Sequence, residues 1–104
     1  MGRWHDVAAA GEIAPGSFEV LETDDLVAAV FNIDGEYFAV EDVCSHDGAE
    51  LAGGPLDDHQ VICPRHGARF CLRTGKALTP PAYQDIRTFP VRVREDRVEV
   101  ELPD

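Results

Sequence analysis

A chain of 104 residues has room for one hydrophobic core, and no apolar run approaches the roughly 18 residues of a membrane span. The formal net charge of −11 speaks against nucleic acid and anionic membrane as partners, since both recruit basic proteins. Residues 1–60 hold 14 Asp and Glu against one Arg, whereas residues 61–104 hold 6 against 8 Lys and Arg, so the first part is suited to steering a basic protein partner.

Taken in order, the chain reads as short strands separated by turns. Met1 to Asp6 shows no basic segment leading into a greasy one, and three cysteines are an odd number; both features lead to the expectation of a reducing cytoplasm rather than a disulfide framework. Arg3 to Val7 is expected as an edge strand anchored by Trp4. After the turn signal Pro15-Gly16, the stretch Ser17 to Glu22 reads as strand, with Phe18 and Val20 alternating with Glu19 and Leu21. Leu26 to Ile33 is continuously apolar, which predicts a strand buried on both faces. Asp34-Gly35 then predicts a type I′ hairpin turn into Glu36 to Val40. At the far end Phe89, Val91 and Val93 alternate with polar residues, and Val98, Val100 and Leu102 do so again beyond Glu95-Asp96. That pattern predicts a hairpin with one dry face, in which Pro90 marks an edge or bulge. No helical period is sustained; Ala49 to Ala52 offers one turn at most. The expected class is all-β, an antiparallel sandwich or small barrel forming a single domain over 1–104.

Between these hairpins, over roughly residues 43–82, strand signals shorten and turn residues crowd together. A loop-rich insertion of this length calls for a function or a cross-link. It contains Cys44-Ser45-His46 and, sixteen residues later, Cys63-Pro64-Arg65-His66. A structural zinc site also takes two Cys and two His, but its usual pairs join like with like. Here each loop supplies one thiolate and one imidazole, and Cys-x-His is tight for chelating one tetrahedral ion. A cluster of two irons relieves that constraint, and in Rieske centres two histidines replace two cysteines on one iron. No carboxylate pattern accompanies the four donors as a catalytic zinc or copper site would require.

Cys44-Ser45-His46 with Cys63-Pro64-Arg65-His66-Gly67 resembles the signature of Rieske iron–sulfur proteins. Ala68-Arg69-Phe70, Thr74-Gly75-Lys76-Ala77 and Pro80-Pro81 resemble the third loop that covers the cluster in that family. The likeness spans most of the chain and is nearest to the small Rieske ferredoxins of bacterial ring-hydroxylating, non-heme iron dioxygenase systems. It implies a Rieske-type fold with a cluster-binding subdomain inserted into a β base, and one [2Fe-2S] cluster. Cys44 and Cys63 would hold one iron, His46 and His66 the other. It further implies a soluble, cytoplasmic, monomeric one-electron carrier between a flavin-containing ferredoxin reductase and a terminal oxygenase. It implies no catalytic residues, for no second His/His/carboxylate set for mononuclear iron is present. Respiratory Rieske proteins carry an extra cysteine in each loop, where this chain has Ala49 and Arg65. They also carry a Ser and a Tyr that donate towards the cluster, where this chain has Ala68 and Phe70. Without such donors the reduced state is less stabilised, and a potential low in the Rieske span is expected. With two neutral imidazoles the oxidised cluster is neutral overall and accepts an electron more readily than an all-cysteine cluster.

Other residues read more plainly. Cys71 reads as a buried small hydrophobe, His5 and His59 as surface residues, Asp57-Asp58 and Gly53-Gly54 as turns. Leu51, Phe70 and Pro80-Pro81 are candidates for an apolar shell around the cluster. Arg65, Arg69, Arg73 and Lys76 read as solvated charges. Three other functions stay in view: a small subunit of another reductase, of the nitrite reductase kind; a ferredoxin serving iron–sulfur assembly; and a structural zinc module binding proteins.

Overall fold

The computed structural model describes residues 2–45 and 48–103, so the predicted ligand His46 lies outside the described residues. Ten strands follow in order: β1 Gly2–Ala9, β2 Phe18–Glu22, β3 Val27–Ile33, β4 Glu36–Glu41, β5 Leu56–Asp57, β6 Gln60–Ile62, β7 Arg69–Cys71, β8 Thr88–Phe89, β9 Val91–Arg94 and β10 Arg97–Pro103. They form three antiparallel sheets, ordered β1-β10-β9, β2-β3-β4-β8 and β5-β6-β7. The all-β expectation holds.

The four-stranded sheet is the centre, because β3 is buried on both faces as its unbroken apolar run predicts. Ala28 and Val30 face a core with Ala39, Phe89, Val98, Val100 and Leu102, which joins this sheet to β1-β10-β9. Ala29, Phe31 and Ile33 face a second core with Val40, Leu51, Val61, Phe70 and Leu72, which joins it to β5-β6-β7. Alternation along one strand therefore feeds two cores. Cys44 and Cys63 belong to the second.

The predicted turns form where the sequence places them. Asp34 (φ 53°) and Gly35 (φ 92°) close the β3–β4 hairpin between Ile33 and Glu36, both in the left-handed region that a type I′ turn needs. Glu95 (φ 52°) and Asp96 (φ 62°) do the same for β9–β10, without a glycine.

Three details differ from the sequence reading. Pro90 sits neither in a bulge nor within one strand: Phe89 pairs with Ala39 of the central sheet, and Val91 pairs with Val100 of another. Proline lacks a donor, so at the change of sheet Pro90 takes part only as an acceptor, its carbonyl receiving Glu101 N–H (2.9 Å). A 3₁₀ turn at Ala10–Glu12, absent from the sequence reading, is held by Ala9 N–H donating to Glu12 Oε1 (2.8 Å) and by the Tyr37 hydroxyl donating to Ala10 O (2.7 Å). Finally, Val93, expected on the dry face of the last hairpin, is 51% exposed.

Gly54 is packed between the two loops that carry the predicted ligands. A Cβ there would come within 2.2 Å of the Ile62 carbonyl oxygen and 3.2 Å of Pro64 Cδ, so backbone must move to admit it. Gly54→Ala is expected to destabilise the protein by about 1–3 kcal/mol, the usual range for overpacking. Gly11→Ala, where nothing lies within 4 Å, is the matched control and is expected to be near neutral. Urea unfolding of both variants beside the parent measures the difference.

Candidate metal centre

The two predicted ligand loops share one hydrogen-bond pattern. In the first, Cys44 N–H donates to Ala49 O (2.7 Å) and Gly48 N–H donates back to Cys44 O (2.7 Å). In the second, Cys63 N–H donates to Ala68 O (2.7 Å) and Gly67 N–H to Cys63 O (3.0 Å). Each is an α-turn from a cysteine carbonyl to a glycine four residues on. The glycines have φ of 79° and 73°, a conformation that costs a side-chain-bearing residue energy. The small residues noted after each ligand pair are therefore the closing elements of two equivalent turns.

Both sulfurs lie inside. Cys44 and Cys63 are 0% and 1% exposed, in one apolar cluster with Leu51, Ala68 and Phe70, each fully buried. His66 is exposed. The site thus has a dry thiolate side and an imidazole that reaches solvent. Among the described residues, no three His, Cys, Asp or Glu side chains converge as ligands for an ion. Leu51 and Phe70 are buried as the expected apolar shell requires, whereas Pro80 is exposed and Pro81 half-buried; Ala68 is buried beside Phe70, and neither of these two side chains carries a hydroxyl to donate there.

A third segment closes over these loops. Leu78 N–H donates to Arg69 O (2.8 Å), Arg69 N–H to Thr79 Oγ1 (3.0 Å), and Phe70 bridges to Ala77. Further on, the Ser45 hydroxyl donates to Gln84 O, which ties residues 80–86 to the first loop. Pro80-Pro81 is joined by a cis peptide bond, and Ala82 and Ile86 enter the core of the two cysteines.

Cys71 differs from the reading as a buried hydrophobe, for it is only half buried. It opens a third copy of the same turn: its N–H donates to Lys76 O (3.0 Å) and Gly75 N–H donates to its carbonyl (2.7 Å), with Gly75 at φ 78°. The spacing Cys-x₃-Gly, three times in the chain, is the sequence signal for all three. Burial pushes the Cys71 thiol up, but the Thr74 hydroxyl, the Thr74 and Arg73 backbone N–H groups and the Arg73 charge together bring it below the ordinary thiol value. His59 likewise has partners: Asp58 at 2.9 Å from Nδ1 and Arg73 at 2.9 Å from Nε2. A guanidinium can only donate, so Nε2 accepts and Nδ1–H donates to Asp58.

Comparison with known proteins agrees with this geometry. A Rieske [2Fe-2S] domain matches residues 3–90. The chain belongs to the Rieske family. Its cofactor is one Rieske [2Fe-2S] cluster, and it is an electron-carrying component rather than the catalytic oxygenase. The 3-phenylpropionate/cinnamic acid dioxygenase ferredoxin subunit of Photorhabdus laumondii is 46% identical over 84 residues, spanning 80% of this chain and 78% of that protein. A ferredoxin–oxygenase complex of carbazole 1,9a-dioxygenase contains a chain that superposes with a TM-score of 0.89 at 33% identity, covering 93% and 91%. A putative NADH-dependent nitrite reductase small subunit from Mycobacterium tuberculosis also reaches 0.89, at 26% identity over 100% and 98%.

The Cys71 environment carries its own expectation. Alkylation of Cys71 in the intact protein, followed by peptide mass spectrometry across pH, should show thiolate reactivity persisting below the range of a free thiol. Thr74→Val removes one donor and should move the profile upwards; an unmoved profile would show that the hydroxyl contributes nothing.

Proposed function

We propose that this protein carries single electrons from a flavin-containing ferredoxin reductase to a terminal oxygenase, as a cytoplasmic monomer. In this reading Cys44 and Cys63 hold one iron, and His46 and His66 the other. The bound cluster supplies one-electron exchange; everything else is done by the chain. Two equivalent cysteine turns fix the donors, Leu51, Ala68 and Phe70 keep water from the sulfurs, and His66 offers a surface contact. The observation that carries the reading is this pairing of buried thiols with an exposed imidazole. The 46% identity to a dioxygenase ferredoxin subunit supports the choice of oxygenase as partner. A second reading, a nitrite reductase small subunit, has support in the M. tuberculosis structure, but the lower identity there favours the first.

The purified protein should be red-brown, with iron and acid-labile sulfide, and on one-electron reduction should show the low-average-g EPR signal of a histidine-ligated cluster. Its midpoint should lie below about +100 mV, in the lower part of the Rieske span of roughly −150 to +300 mV. Cys63→Ser and His66→Ala should each lose the iron and the signal, whereas Cys71→Ser should keep both. A colourless protein with a single zinc would end this reading. Rapid reduction of an oxygenase by the reduced protein, with none of a nitrite reductase, separates the two partner assignments.

Partner encounter has a separate test. With 20 acids against 9 Lys and Arg, association with a basic docking face should be electrostatically steered. The second-order rate of electron transfer should then fall several-fold as salt is raised from low to physiological strength. A rate indifferent to salt would show that the acidity serves solubility alone.

A further inference from the structure

We infer that Asp42 is a positioning residue for the first ligand loop, and that its buried charge holds the reduction potential of the centre down. This rests on the proposed ligand set. Asp42 is 7% exposed, two residues ahead of Cys44. Its Oδ1 accepts from both Leu51 N–H (2.7 Å) and Ala52 N–H (2.8 Å). Its own N–H donates to Val27 O (2.8 Å), which fixes it to β3. The carboxylate thus joins the two ends of the segment that carries Cys44.

The second loop shows why this matters. Residues entering and leaving its turn are joined by a strand ladder, Val61 to Phe70 and Ile62 to Arg69. The residue two ahead of Cys63 is Val61, uncharged and fully buried. No strand directly follows the first turn: residues 48–51 are irregular, and the Asp42 side chain takes the ladder's place. Two otherwise equivalent turns are therefore closed by different means, one neutral and one with a carboxylate.

A neutral acceptor such as an amide oxygen meets the same geometric need. The charge is the difference. Two residues of backbone span at most about 7 Å, and the intervening medium is protein rather than water, where charges are weakly screened. Two amide donors offset the carboxylate only in part. A fixed negative charge beside the first ligand loop opposes the arrival of an electron and favours the oxidised state.

Redox titration, EPR and iron content of the cluster-loaded protein test both halves. Asp42→Asn keeps an acceptor oxygen and should keep iron, sulfide and EPR line shape while the midpoint potential rises. An unchanged or lower potential in that variant overturns the charge role. Asp42→Ala removes the acceptor and should release iron faster and broaden the signal; parental iron retention and line shape would overturn the positioning role. Should Asp42→Asn not fold, Asp42→Ser supplies a second neutral acceptor with the same readouts. A parent protein that binds no iron would instead sink the ligand assignment itself, so the two failures are distinguishable.

Discussion

The structure depends on β3 being apolar on both faces. A strand with one wet face supports a single core, and this chain would then have no second dry surface on which to seat ligand loops. The alternation of Ala28 and Val30 with Ala29, Phe31 and Ile33 gives two cores for one strand. The cysteine turns hang from the second. Because β3 and β4 are joined by a two-residue turn in fixed register, the first ligand loop leaves the sheet at a defined point. Asp42 N–H on Val27 O extends that register by one more bond. Order in the loops is thus inherited from burial in the sheet.

Much of this was legible in the sequence, because it is local or periodic. The run from Leu26 to Ile33, the Asp34-Gly35 turn and the alternation of Val98, Val100 and Leu102 each carry their own explanation. Pro90 was legible as an interruption, but not as a change of sheet, since that depends on which strands lie opposite. The turn at Ala10–Glu12 relies on Tyr37, distant in sequence. Asp42 was illegible for a similar reason. In an acidic chain it reads as one more surface charge, and only the placement of Leu51 and Ala52 reveals a carboxylate turned inward to hold backbone. The three Cys-x₃-Gly spacings, by contrast, were open to inspection. A proposed ligand loop differs from the third copy in the residues between cysteine and glycine: each proposed ligand loop has a histidine there, whereas the third copy has Arg73 and Thr74. Of the ligand set, His46 lies outside the described residues, so on its side of the site the sequence motif stands by itself.

The charges near the site behave differently from a count along the chain. Arg69 is engaged with Asp57 at 2.8 Å and Arg73 with His59 at 2.9 Å, while Arg87, Arg92 and Arg97 meet Glu41, Glu99 and Asp6. Such exposed pairs add little stability. Their effect is to occupy the cations with the protein's own acids, which leaves the remaining acids to set the surface field. Arg69 is therefore partly neutralised by Asp57, whereas the buried Asp42 has no such exposure to solvent.

Accessibility then limits how a carrier of this shape can work. The thiolate side is closed by Leu51, Ala68 and Phe70, and the segment from Lys76 to Ile86 lies along it with Ser45 and Arg69 as ties. Among the described residues, the His66 side is the one that opens to solvent. Electron transfer needs close approach, so a donor and an acceptor that both dock at the His66 side compete for one face. A partner seated on it excludes the other, and a fixed three-protein complex cannot pass electrons through a single window. The chain must let go of one partner before meeting the next. Tight, apolar docking would work against that cycle; a small contact face within an acidic surface, quick to associate and quick to release, serves it.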